Sequence, residues 1–148
     1  MTAEADMMKL YSTRILALAA QVPHVGRLNA PDGTARQRSP LCGSTVTVDV
    51  VVQDGVISQF AQDVKACALG QAAAAVVGAA IIGLDRATVQ RGRDEMAAML
   101  KDNGPVPTAP FDGLAVLEPA KDYKNRHASI LLSFDATLAA LDAVQVSA

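Results

Sequence analysis

Tryptophan is absent from the 148 residues, and all aromatics together make up only 3%. A core built on large rings is therefore excluded. Alanine and valine must carry it, so that neighbouring elements can approach closely. Basic runs are absent too: the formal net charge is −2, with lysine and arginine scattered along the chain. That argues against a nucleic-acid-binding surface. No Ser-His-Asp arrangement, phosphate-cradling glycine loop or acid pair stands out, so neither a hydrolase nor a nucleotide enzyme is indicated. Cysteine occurs twice and never as Cys-x-x-Cys. Residues 1–8 are acidic and polar with no apolar core of a secretory signal, which points to a reducing, cytoplasmic setting. No repeat or low-complexity linker divides the sequence, and 1–148 reads as a single domain with a core of its own.

The longest uncharged stretch, residues 66–84, is 19 residues long, close to the minimum for a membrane span. It consists mostly of alanine and glycine and contains Gln71. Such residues contribute little transfer free energy, so the stretch reads as a buried core helix and no membrane partner is expected.

Residues 40–68 carry the densest pattern. Pro40-Leu41-Cys42-Gly43-Ser44 opens it, alternating valines follow, Asp54-Gly55 makes a turn, and a second extended run leads to Lys65-Ala66-Cys67-Ala68. Asp-Gly between alternating runs signals a β-hairpin. The turn lies midway between the two cysteines, so an antiparallel hairpin returns Cys42 and Cys67 to the same end, within roughly 5–8 Å. A two-residue loop would pair them directly, but would set Val46 against Asp63 and Val50 against Gln59. A three-residue loop, Gln53-Asp54-Gly55, puts Val46, Val48, Val50 and Val52 on one face with Val56, Phe60 and Val64, and is the preferred register. A hairpin alone is marginal, so a third strand is expected within residues 27–39.

Around this hairpin the periodicity is helical. Met8, Tyr11, Ile15, Leu18 and Ala19 space as an amphipathic helix over 7–20, ending before Pro23. Residues 68–83 have no polar face, which predicts a helix covered on all sides with Cys67 at its N-terminus. There, unpaired backbone N–H groups and the helix dipole favour a thiolate, the form a metal ligand takes; the alternative is a small buried hydrophobe. Asp85 is a candidate N-cap for one or two short polar helices over 86–100. Residues 111–117 form a short helix that Pro119 stops, and 120–126 are a charged lead-in. Ile130, Leu131, Phe134, Leu138 and Leu141 mark a final amphipathic helix with His127 at its start. Arg36 and Arg38 read either as solvated loop charge or as a positive field before the first thiol.

Cys42, Cys67 and His127 are the candidate ligands. Thiolate and imidazole together suit zinc and iron–sulfur clusters. A lone histidine at a helix start is more often a cap or surface group than a ligand, and His127 is open to either role. A Cys42–Cys67 disulfide is sterically allowed, though the inferred compartment disfavours a structural one.

Tyr11-Ser12, Val25-Gly26, Pro40-Leu41-Cys42-Gly43, the Asp54-Gly55 hairpin, Lys65-Ala66-Cys67-Ala68 and Arg126-His127-Ala128-Ser129-Ile130-Leu131 occur in an order and spacing that resembles the NifU/IscU-type iron–sulfur cluster assembly scaffolds, over residues 11–141. The long segment between 96 and 122 is similar to the SufU-like branch, and His127 to the IscU-like branch. The resemblance implies an α+β fold, a small antiparallel sheet of about three strands packed against several helices, with a metal site at one tip. It implies a non-enzymatic scaffold or carrier for a labile iron–sulfur cluster, or zinc. Its partners would be a cysteine desulfurase and recipient apoproteins, and a homodimer could share the cluster. Cys42 and Cys67 match the first and second family cysteines, and His127 the histidine beside the third.

The sequence departs from the family at several positions. Ser44 stands where the family has aspartate, Ala128 replaces the third cysteine, Leu18 replaces a first-helix histidine, and Val22-Pro23-His24 replaces Pro-Arg-Asn. Glu118-Pro119-Ala120-Lys121 stands near the place of the Pro-Pro-Val-Lys chaperone-docking motif. Three ligands leave a fourth position for Ser44, water, a small thiol or a second subunit. An alternative role is an interaction module that keeps the scaffold fold without assembling clusters. A weaker one is a thiol sensor using Cys42 and Cys67.

Overall fold

The computed structural model describes residues 12–40 and 43–147. Cys42 and the first part of the expected N-terminal helix lie outside the described residues. Three antiparallel strands, β1 (Gly33–Arg38), β2 (Thr45–Gln53) and β3 (Val56–Lys65), form one sheet in the order β1-β2-β3. Asp54 and Gly55 both take left-handed backbone, with φ of 54° and 80°. This is the tight two-residue turn that Asp-Gly favours. Gln53 pairs with Val56 and Val52 with Ile57; the register then shifts, so that Val50 faces Phe60, Val48 faces Gln62 and Val46 faces Val64.

The expected three-residue loop is thus corrected to a two-residue loop followed by a β-bulge. Ser58 is the additional residue, and its hydroxyl donates to the Val51 carbonyl at 3.1 Å. A tight turn without the bulge would have placed valines opposite polar residues. One extra residue restores the parity, and the apolar face of β2 stays buried against Phe60.

The third strand falls where residues 27–39 allow it, with Gly33 opposite Val50 and Arg38 opposite Thr45. Arg36 and Arg38 therefore stand exposed on an edge strand and not in a loop. The outer edge of β3 is covered by residues 24–26. Gly26 N–H donates to the Gln62 carbonyl at 3.0 Å, and Gln62 N–H to the His24 carbonyl at 2.9 Å. The Gln62 side chain adds bonds to the Pro23 and Ala74 carbonyls. On the outward face, Asp49 is fully buried beneath residues 27–34. It accepts from Arg27 Nε (2.7 Å) and Nη2, from Leu28 N–H and from Thr34 Oγ1 (2.6 Å).

Helix α1 (Thr13–Ala19) begins at Ser12, whose hydroxyl accepts from Ile15 N–H. Helix α2 (Ala68–Ala80) starts from Cys67 and buries Leu69, Gly70, Ala72, Ala73, Ala74, Ala75, Val77 and Gly78, as its lack of a polar face requires. Helix α3 (Arg86–Lys101) is one continuous helix rather than two; Asp85 accepts from Thr88 N–H at 2.9 Å and caps it. Gly92 in α3 makes room for Phe111, which packs edge-on against Phe134 with ring centroids 5.1 Å apart.

The segment expected to be a short helix stopped by Pro119 is instead a 3₁₀ helix, Asp112–Asp122, with Pro119 inside it. Its buried residues, Leu114, Leu117 and Ala120, recur every third position, the period of that helix. The proline ring clashes with a carbonyl four residues back in an α-helix, a geometry absent from 3₁₀ turns. A second 3₁₀ turn, Lys124–Arg126, leads into α4 (His127–Ser147).

Helix α4 is the centre of the fold and packs on β1, β2, α2 and α3. Gly33 lacks the Cβ that would strike the Ala140 carbonyl, which brings β1 against this helix. One helical stretch, Lys124–Val144, is long and apolar enough to cross a membrane, but 67% of its apolar window is buried inside the fold, as expected of a core helix. The α+β arrangement agrees with the sequence expectation.

Candidate metal centre

At one end of the sheet, three chain segments converge. The β1–β2 connection is closed by Ser39 N–H donating to the Ser44 carbonyl (2.8 Å) and Gly43 N–H donating to the Ser39 carbonyl (2.9 Å). Gly43 has φ 71°, a conformation that favours glycine. Pro40 and Gly43, on either side of the undescribed pair, belong to this connection. Thr45 and Lys65 are the last paired residues of β2 and β3. Ser44 and Cys67 thus stand just beyond the same end of the ladder. The third segment is the first turn of α4.

Cys67 is the N-cap residue of α2, in extended backbone at φ −65° and ψ 170°, and its side chain makes no capping bond. It is a free thiol, half-buried. Its Sγ lies 3.6 Å from Ser129 Oγ on α4. Ser129 Oγ in turn donates to Ser44 Oγ at 3.0 Å. Ser44 is 4% exposed and Ser129 2%, so both hydroxyls are sealed from bulk water. Close approach of α2 to α4 depends on Gly70, where a Cβ would stand 2.8 Å from Ser129 Oγ.

His127 is buried, at 5% exposure. Its Nε2 lies 3.1 Å from both the Ala120 and the Lys121 carbonyl oxygens. Two acceptors at this nitrogen require it to carry the ring proton, so Nδ1 is the atom with a lone pair for a metal. The imidazole also ties the end of the 3₁₀ helix to the start of α4. Ala120 and Lys121 therefore support this histidine through their backbone.

Among the described residues no group of three or more His, Cys, Asp or Glu side chains stands close enough to hold a metal ion. Cys67 is brought against α4 at Ser129, two residues from His127. The donor types, one thiol and one imidazole nitrogen, suit zinc or iron–sulfur chemistry; the neutral hydroxyls beside them are weaker ligands. Ala128, between two buried residues, faces solvent.

Ser129 was not singled out from the sequence. The available signal was a hydroxyl inside an otherwise apolar run, Ile130-Leu131-Leu132 following it, on the buried face of a core helix.

Comparison with solved structures decides the family. Over 97% of this chain and 99% of the other, the sequence is 43% identical to a nitrogen-fixing NifU-like protein (N-terminal) from Brucella abortus, and the two folds agree with a TM-score of 0.93. The chain belongs to the NifU-like family. A protein described as an iron–sulfur cluster assembly scaffold for the SUF system, from Fervidobacterium islandicum AW-1, has the same fold at 19% identity, with a TM-score of 0.79 over 90% of this chain and 98% of that one. No family model and no curated protein matches the sequence.

In this NifU-like chain Ser44 and Ala128 occupy the aspartate and third-cysteine positions of the resemblance. The structure gives them different surroundings: Ser44 is buried in the hydroxyl pair with Ser129, and Ala128 is exposed. His24, in the place of the Pro-Arg-Asn segment, has φ 57° and sets its ring edge-on to Phe60.

Proposed function

We propose that this NifU-like chain is a cytoplasmic iron–sulfur cluster assembly scaffold or carrier, and not an enzyme. Its cargo is iron, a labile iron–sulfur cluster or zinc, held by Cys42 and Cys67 as thiolates and by His127 through Nδ1. The observation that carries the proposal is the 43% identity to the Brucella abortus NifU-like protein across nearly the whole of both chains. The half-buried free thiol of Cys67 at the start of α2 supports it.

Three protein ligands leave one position open, which suits labile binding and hand-off rather than storage. The fourth position would be taken by Ser44, water, a small thiol or a second copy of the chain. The expected partners are a cysteine desulfurase that supplies sulfur and apoproteins that receive the cluster. Neither nucleic acid nor membrane is among them.

The test is the metal load of single variants. Cys42→Ala and Cys67→Ala should each abolish bound iron or zinc in protein that remains folded. Full metal load in both would overturn the ligand assignment.

A second role, an interaction module that keeps the fold without assembling clusters, is favoured by one specific observation. Ala128, in the place of the third cysteine, is exposed and carries no ligating group, so the set is one donor short. That role predicts desulfurase binding with no reconstituted cluster.

A further inference from the structure

We infer that Ser129 is a positioning residue whose single hydroxyl proton is exchanged between Ser44 and Cys67, coupling the occupancy of the Cys67 sulfur to the β1–β2 connection. The inference rests on the proposed role of Cys67 as a ligand and adds a residue and a coupling to it.

A serine hydroxyl has one proton to give and can accept at its oxygen. Ser129 Oγ is 3.0 Å from Ser44 Oγ, to which it donates, and 3.6 Å from Cys67 Sγ. Its proton is thus spent on Ser44, and the thiol of Cys67 is the donor in the second contact. The three groups come from three elements: the residue before β2, the residue before α2, and the first turn of α4. With Ser44 and Ser129 both more than nine-tenths buried, bulk water does not substitute for either partner. Gly70 preserves the space in which the Ser129 hydroxyl can turn, because any larger residue would press on Oγ.

A sulfur that binds a metal has lost its proton and can only accept. Its S–H proton leaves to solvent, and the Ser129 proton now faces a charged acceptor on one side and a neutral one on the other. Hydrogen bonds to a charged partner are roughly twice as strong as neutral ones. The Ser129 proton is then shared between Sγ and Ser44 Oγ with the balance moved toward Sγ, and no proton is gained or lost by Ser129. Two effects follow. The new O–H···S bond draws electron density from the sulfur and loosens its hold on the metal, as hydrogen bonds around metal-bound sulfur do. The tie from α4 to Ser44 is weakened at the same time, so a change at Cys67 reaches the segment that carries the other cysteine.

The two serines therefore have opposite effects on the sulfur, which packing alone does not produce. The test uses the full-length chain loaded with cobalt(II) and reads the sulfur-to-cobalt charge-transfer band, with Cys67→Ala identifying the part due to Cys67. Ser129→Ala removes the donor and should move the band to lower energy. Ser44→Ala removes the competing acceptor, leaves the Ser129 proton to Cys67 and should move it to higher energy. Ser129→Thr keeps the hydroxyl and should restore the wild-type position. Displacement of both alanine variants in the same direction, or of neither, overturns the inference while leaving Cys67 as a ligand. Absence of any sulfur-to-cobalt band in the wild-type chain overturns the proposed role of Cys67 and the inference with it. Should Ser129→Ala fail to fold by circular dichroism, Ser44→Ala alone decides: a shift to higher energy supports the coupling, and no shift overturns it.

Discussion

Gly70 and Ser129 touch so closely that a Cβ on Gly70 would stand 2.8 Å from Ser129 Oγ. Helix α2 meets the first turn of α4 across this contact, one turn after Cys67. Gly70→Ala should therefore destabilise the fold by about 1–3 kcal/mol, the usual cost of overpacking. The sign is informative, because alanine for glycine within a helix gains up to about 1 kcal/mol from propensity alone. Urea unfolding of the metal-free protein measures the balance. A more stable Gly70→Ala variant would mean that the two helices are not pressed together here.

Asp49 and Arg27 form a second such contact, on the other face of the sheet. Burial penalises the charged Asp49 carboxylate, but the bonds from Arg27, Thr34 and Leu28 outweigh it and hold its pKa below the usual range. In the unfolded chain the group titrates near pH 3.9 or so, at about the ordinary carboxylate value. Its contribution to stability is thus complete above that value and is lost as the pH falls through the lower, folded value. Asp49→Asn should lower stability at neutral pH by about 2 kcal/mol, the scale of lost charge-assisted bonds. It should also flatten the fall in stability as the pH drops below the ordinary carboxylate value of about 3.9. Urea midpoints measured from neutral pH down through that value check both parts.

These two contacts show where the sequence was legible and where it was not. The hairpin could be read because Asp54-Gly55 states its turn chemistry locally and the valines alternate around it. Its register could not, because Ser58 looks like any polar residue on an alternating strand and only the paired strand reveals it as a bulge. Pro119 reads as a helix stop, and the actual 3₁₀ helix differs from an α-helix in a hydrogen-bond span that apolar spacing over a few residues does not resolve. Asp49 occupies an outward position in the alternation, so its burial depends on residues 27–34 folding over it, a tertiary event. At the site, Cys67 at the start of α2 followed from the change in periodicity after Lys65. Ser129 and the role of Gly70 arise from two helices meeting 59 positions apart. The His127 bonds to Ala120 and Lys121 likewise depend on a chain reversal that charge composition does not encode.

His127 allows structural and ligand roles to be separated atom by atom. Its Nε2 donates to two carbonyls, which leaves Nδ1 for a metal. His127→Gln places an amide N–H near the Nε2 position and removes Nδ1. It should keep metal-free stability within about 0.5 kcal/mol while losing zinc affinity. His127→Ala removes both atoms and should cost about 1–3 kcal/mol in addition, since buried carbonyls lose their donor. Unfolding curves and zinc titrations on the same samples give both values. Wild-type zinc affinity in His127→Gln would remove Nδ1 from the ligand set.

The central claim is that this chain carries iron–sulfur cargo on its cysteines, and anaerobic reconstitution with iron and sulfide tests it most directly. Visible absorption and the iron and sulfide content per chain are the readouts. The account predicts a cluster spectrum in the wild-type chain that disappears in Cys42→Ala and in Cys67→Ala, with a stoichiometry that shows whether two chains share one cluster. Folded wild-type protein that acquires no cluster, or cysteine variants that acquire it undiminished, would contradict the account.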